Sequence, residues 1–99
     1  MYKVYLSGAI TGNESYMQDF QRAEDKVKEF VNAEIINPAK ILKDMPESAS
    51  YKDYMTLCIE LIKQADEVYM IRGWEESKGA VFERHLAQIL DKEVTYELR

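Results

Sequence analysis

In the stretch GWEESKGAVFERHLA, residues 73 to 87, a glutamate follows a glycine by one helical turn and has no basic residue three or four positions away. Gly79 and Ala80 precede Glu83 at those spacings and Leu86 and Ala87 follow it, so an intrahelical ion pair does not hold this carboxylate. A glycine in the first turns of a helix costs about 1 kcal/mol relative to alanine, which implies that something approaches the backbone closely at Gly79. Helical side chains lean toward the amino end, so Glu83 reaches back over Gly79. The chemistry on offer is that of a carboxylate overlooking a floor cleared of side chains. Glu83 also borders the apolar stripe of Phe82, Leu86 and Ile89. A carboxylate so placed is partly buried and needs hydrogen-bond donors, or its pKa rises. Tyr5, near the end of the opening YKVYLSG, is the candidate donor; the alternative is a core aromatic whose hydroxyl is satisfied elsewhere.

The loop SGAITGNESY, residues 7 to 16, carries glycines four apart and matches neither Gly-x-Gly-x-x-Gly nor the Gly-Lys-Ser/Thr of a P-loop. It can still offer backbone N–H groups and the Ser7 or Thr11 hydroxyl to a sugar or phosphate beside a helix amino end. The competing reading is a turn whose glycines serve no ligand. Ser77 is expected to cap the helix that carries Glu83. Trp74 either stacks on a base or packs under the sheet edge. His85 reads as a helix-face histidine, since nothing near it in sequence orients it as a base.

These residues need a scaffold that brings residues 5 to 12 beside residues 73 to 83. Residues 2–7, 33–38, 66–73 and 93–98 have strand character, the second closed by Pro38. Helical periodicity runs from Ser15 to Asn32, where Ser15 and Gln18 form a capping-box pattern, from Ser50 to Ala65, and from Ser77 to about Asp91. The segment between Pro38 and Ser50 reads as a loop with one helical turn near Ile41. The order βαβαβαβ predicts a single α/β domain over residues 1–99, a flavodoxin-like three-layer sandwich whose four-stranded parallel sheet has the order 2-1-3-4. Ligands of such sheets bind outside the carboxyl ends of the strands, at the switch point between the first and third strands. That point joins the loops after Ser7 and Arg72.

Composition narrows the partners. The 99 residues are 46% apolar and 31% charged, and no apolar run approaches the roughly 20 residues that span a bilayer. The opening MYKVYLSG is too short in its apolar part to be a secretory signal, so a cytoplasmic protein is expected. A net charge of −5 disfavours nucleic acid as a partner. One cysteine, Cys58, and one histidine leave no zinc cluster. Neither metal nor cofactor is expected, and a small molecule is the expected partner.

The segments YLSGAITG (residues 5 to 12) and ADEVYMIRGWEESKGAVFERHLA (residues 65 to 87) resemble the nucleoside 2-deoxyribosyltransferase superfamily, above all its small members with a Tyr-Leu-Ser-Gly opening and a Gly-Trp-Glu-x-Ser-x-Gly-Ala motif. The resemblance covers nearly the whole chain. It implies a glutamate that attacks C1′ of a deoxynucleoside, expels the base and forms a glycosyl-enzyme ester, which another base or water then takes. By motif position Glu83 would be the nucleophile, Tyr5 its hydrogen-bond partner, and Gly8, Ile10, Ser77 and Gly79 part of the pocket wall. In members that hydrolyse deoxynucleoside monophosphates, the serine matching Ser77 helps to hold the phosphate. A covalent intermediate splits one difficult displacement into two easier ones, as in retaining glycosidases.

Three departures from the family pattern matter. Active members usually carry an aspartate where this chain has Cys58, eight residues before Asp66, so an assumed catalytic-partner position is filled by a thiol. Thr11 stands where the monophosphate hydrolases have a phosphate-binding arginine. Members often complete a neighbour's site with residues beyond the last strand, whereas this sequence stops at Arg99. The expectation is an N-glycosidase or transferase acting on a nucleoside or nucleotide and assembled as at least a homodimer. The alternative is a non-catalytic binding protein for a nucleotide or ADP-ribose-like ligand, in which Glu83 only hydrogen-bonds a ribose. An interaction module with an empty site is a third reading.

Overall fold

Strand β1, Lys3–Ser7, is buried from Val4 to Ser7 and runs up the centre of the sheet in a computed structural model that describes residues 1–98. Arg99, the last residue of the expected domain, lies outside the described residues. Side chains alternate across a strand, so Val4 and Leu6 face one layer while Tyr5 and Ser7 face the other. Helix α1, Tyr16–Phe30, lays Phe20, Ala23 and Val27 on the first face together with Ala39 and Ile71. Helices α3, Tyr51–Gln64, and α4, Lys78–Ile89, cover the opposite face through Tyr54, Cys58, Ile62, Ala80 and Ala87, packed on Tyr5, Val68 and Met70.

Strands β2 (Glu34–Ile36), β3 (Glu67–Met70) and β4 (Glu93–Tyr96) complete an all-parallel sheet in the order β2-β1-β3-β4, the flavodoxin-like arrangement expected. Tyr5 pairs in register with Val68, and Ser7 with Met70. Parallel strands need long crossovers, and here helices supply them and bury both faces. Past β4, the buried Glu97 carboxylate accepts from Arg22 Nε (2.9 Å) and Nη2 (3.0 Å), from Lys26 Nζ (2.9 Å) and from the Arg72 amide (3.0 Å), tying the end of the sheet to α1. Burial alone would raise its pKa, but the two cations and the amide outweigh it and hold the carboxyl down to about 2.

Two local expectations are corrected. The Ser15 side chain makes no cap bond: its ψ of 14° departs from the extended backbone that aims a cap oxygen at the first turn. Asn13 organises this entry instead. Its Oδ1 accepts from the Ser15 amide at 3.0 Å and its Nδ2 donates to Asp19 Oδ2 at 2.9 Å. The helical turn expected near Ile41 is longer than one turn, a six-residue helix α2, Pro38–Lys43, with irregular chain from there to Ser50. Asn37 Oδ1 accepts from the Ala39 amide at 3.0 Å and Pro38, with its φ already fixed, occupies the first turn, so an Asn-Pro pair that closes a strand also opens a helix. Helix α3 has the full capping box, Ser50 with Asp53.

Candidate functional site

Glu83 lies on the second turn of α4 and is only 5% exposed. Tyr5 Oη donates to its Oε2 at 2.8 Å, and Ser7 Oγ donates to its Oε1 at 2.7 Å. Both donors come from the same face of β1, two residues apart, so a single strand presents one hydroxyl to each carboxylate oxygen. The Cys58 thiol of α3 packs beside them and interacts with Glu83, Tyr5 and Tyr54. Among the described residues no Lys, Arg or His pairs with Glu83. Burial pushes its carboxyl up to about 7, and the neutral donors Ser7, Tyr5 and Cys58 offset only part of that. Burial likewise raises Tyr5, with the Glu83 charge adding to it, and pushes the Cys58 thiol up to about 11.

The carboxylate faces a narrow slot of about 30 Å³ at the carboxyl end of β1, room for about two water molecules. The loop after β1 supplies Gly8, Ile10 and Thr11 to its wall; the start of α3 supplies Tyr51, Tyr54 and Met55; Ser77, Gly79 and Ala80 come from the start of α4. Phe20 and Pro38 close the remaining side. The slot gives onto a wider bowl of about 520 Å³ bounded by Thr11, Tyr51, Glu76, Ser77, Lys78 and Gly79. Thr11, Tyr51, Ser77 and Gly79 belong to both, so they form the passage between bowl and slot.

Gly79 has the clear space expected of it, and Tyr51 uses that space. A Cβ on Gly79 would lie 3.0 Å from the Tyr51 hydroxyl, while the tyrosine is itself 57% exposed. Ser77 caps α4, its Oγ accepting from the Ala80 amide at 3.2 Å. Gly8 has a packing reason as well: a Cβ there would meet Ile71 Cβ at 3.0 Å. Gly73, with φ 91°, sets up the 3-10 turn Trp74–Glu76 that leads into α4.

Two ligand contacts expected from the sequence are relocated by the geometry. Ser7, considered as a hydroxyl for a sugar or phosphate, is 0% exposed and spends its donor on Glu83. Its hydroxyl holds the Glu83 carboxylate instead of facing the bowl. Trp74 borders neither slot nor bowl: it packs at the sheet edge against Tyr96, centroids 5.9 Å apart, with the Arg84 guanidinium 5.2 Å above its ring. His85 is exposed on α4 and also lines neither cavity. Tyr51, Tyr54 and Met55 were not among the expected site residues. The available signal was topological, because the amino end of a helix that precedes a parallel strand sits at the ligand-binding end of the sheet.

Among the described residues no group of three or more His, Cys, Asp or Glu side chains converges as a metal site, and no helix is long and apolar enough to cross a membrane. A search of curated proteins finds no match to the chain. The family model described as a domain of unknown function, DUF4406, matches residues 2–96, and the chain therefore belongs to that family.

Proposed function

We propose that this protein binds a nucleoside or nucleotide and cleaves or exchanges its N-glycosidic bond through a covalent intermediate on Glu83, as its resemblance to nucleoside 2-deoxyribosyltransferases implies. The observation that carries the reading is a buried carboxylate held by Tyr5 and Ser7 at the inner end of a slot, with no counter-cation among the described residues. Each oxygen receives one hydroxyl donor, Tyr5 on Oε2 and Ser7 on Oε1, with the Cys58 thiol beside them. When ionised, the carboxylate is oriented for attack at C1′, and an oxocarbenium-like carbon would supply the positive charge that the pocket lacks.

The slot is too small for a sugar as it stands, so entry requires the exposed Tyr51 ring to turn away from Gly79. A non-catalytic binding role is the second reading, favoured by the Cys58 thiol beside Glu83 where an acid would assist the departing base. Incubation with a 2-fluoro deoxynucleoside separates the two. The reading predicts that the intact protein gains the mass of one sugar at Glu83 and that Glu83→Gln gains nothing. Labelling at another residue, or none, would count against the nucleophile.

Self-association and a cytoplasmic setting belong to the same reading. On α3 and α4 the outward Leu57, Phe82 and Ile89 are 36%, 45% and 76% exposed, an apolar surface for a two-fold partner. Light scattering at high micromolar concentration should report a dimer or larger; a monomer would count against it.

A further inference from the structure

The slot that holds Glu83 contains a nucleophile but lacks a strong proton donor. Among the described residues that line it, Glu83 is the one carboxyl group, and none is His, Lys or Arg. Its other polar side chains, Thr11, Tyr51, Tyr54 and Ser77, are alcohols and phenols, much weaker proton donors than a carboxylic acid or an imidazolium. Tyr5 and Ser7 already give their protons to Glu83 as hydrogen bonds. Burial raises Tyr54 and Cys58 further from the range of useful acids. Glu83 cannot fill the gap, since the form that attacks is the form without a proton.

Expulsion of a neutral nucleobase leaves an anion unless a proton arrives, and a positioned acid is typically worth about 10²–10⁴-fold in such a step. A heterocycle bound through a quaternary nitrogen has no such need. It carries its positive charge before the bond breaks and departs neutral. The same charge suits a buried carboxylate that no cation among the described residues pairs with, in a chain whose net charge is −5.

Resting on the reading of Glu83 as nucleophile, we propose that the substrates of this site are N-glycosides of cationic aromatic heterocycles, of the N-ribosyl pyridinium or N7-alkyl purinium kind. A Glu83 oxygen forms a bond to C1′ as the C1′–N bond breaks, and the bonding pair neutralises the ring nitrogen. Water then attacks C1′, the ester bond returns its electron pair to the Glu83 carboxylate, and one proton passes to solvent. The balance is glycosyl heterocycle cation plus water giving free sugar, neutral heterocycle and a proton.

The test incubates the full chain with nicotinamide riboside and 7-methylguanosine in parallel with deoxyadenosine, guanosine and thymidine, and follows released base by chromatography above the enzyme-free background. Release from the two cationic nucleosides should exceed release from the neutral ones by about 10²-fold or more. It should vanish in Glu83→Gln and persist in Glu60→Gln, which removes an exposed carboxyl of α3 that lines neither slot nor bowl. Comparable release from neutral nucleosides would overturn this inference and leave the nucleophile reading standing; loss of that release in Glu76→Gln would identify the carboxyl at the rim of the outer bowl as the acid. No release from any substrate, or undiminished release in a folded Glu83→Gln variant, would overturn both.

Discussion

Tyr5 Oη and Glu83 Oε2 meet at 2.8 Å across 78 positions of sequence, and both groups are buried. The bond joins the central strand to α4, so it bears both on the ionisation of the carboxylate and on the docking of α4, which Ser7, Ala80 and Ala87 share. Hydrogen bonds to an ionised carboxylate favour the ionised form. Removing this one therefore raises the Glu83 pKa above its present value of about 7. Tyr5→Phe should shift the acid limb of the pH–rate profile to higher pH and leave the rate on the alkaline plateau less affected. A profile that loses height without moving would show that the hydroxyl serves substrate rather than Glu83.

The same carboxyl makes stability depend on pH, in the opposite sense to Glu97. The folded-state pKa of Glu83 is raised from 4.5 to about 7, so its contribution is complete below pH 4.5 and is lost as pH rises through about 7. Each tenfold difference in proton affinity between the folded and unfolded chain is worth about 1.4 kcal/mol, so the loss is about 3 kcal/mol. Glu97, lowered from 4.5 to about 2, contributes above pH 4.5 and loses that contribution as pH falls toward 2. Denaturant midpoints measured from pH 3 to pH 8 should therefore peak near pH 4.5 to 5. Glu83→Gln should flatten the alkaline side of the peak and Glu97→Gln the acid side; an unchanged alkaline slope in Glu83→Gln would contradict the burial of that charge.

Much of this architecture was legible because its signals are local. Period-2 and period-3.6 patterns marked four strands and three helices in an order that a parallel sheet accommodates in few ways. Glu83 stood out through what its helix fails to provide, a neighbouring cation. Ser7 was legible too, since the alternation that points Tyr5 at α4 points Ser7 the same way, but a serine at a strand end reads equally well as a ligand hydroxyl. Tyr51 and Tyr54 were hidden for a different reason. Tyr54 belongs to a buried stripe of α3 while Tyr51 opens that helix 57% exposed, and only the docking of α3 beside α4 decides that its first turn overhangs a cleft. Of α2 only the turn near Ile41 was legible, and its start was hidden because the Asn-Pro opening also terminates a strand.

Gly79 tests how the slot is closed. A methyl group there would lie 3.0 Å from the Tyr51 hydroxyl, the far end of an exposed and movable side chain, so Gly79→Ala should fold normally. Helix propensity even favours alanine by up to about 1 kcal/mol. Ligand binding should suffer instead, because the methyl narrows the passage that Tyr51 and Gly79 share. Thermal melting should show an equal or higher midpoint, and calorimetry weaker nucleoside binding, partly restored by adding Tyr51→Ala. A lower midpoint with unaltered affinity would place the need for glycine in packing alone.

Cys58 is where the chemistry can be widened. Its thiol sits 1% exposed beside Glu83 and Tyr5, at the position where the resemblance leads one to expect an aspartate. An aspartate there would be a second buried carboxyl next to the first, and two such groups resist ionising together, so one retains a proton near neutral pH. That proton is what a neutral base needs on departure. Cys58→Asp should raise release of adenine from deoxyadenosine by about 10²-fold or more while release from nicotinamide riboside changes little, since its leaving group takes no proton. The cost is stability, about 1–3 kcal/mol for a polar group buried in a well-packed core, so far-ultraviolet circular dichroism and a melt must accompany the assay. Cys58→Asn replaces the thiol with a side chain of similar size to aspartate but without an acidic proton, and should show the stability loss without the gain. Equal gains in the aspartate and asparagine variants would mean that the space around Cys58, rather than a missing proton, limits which bases can leave.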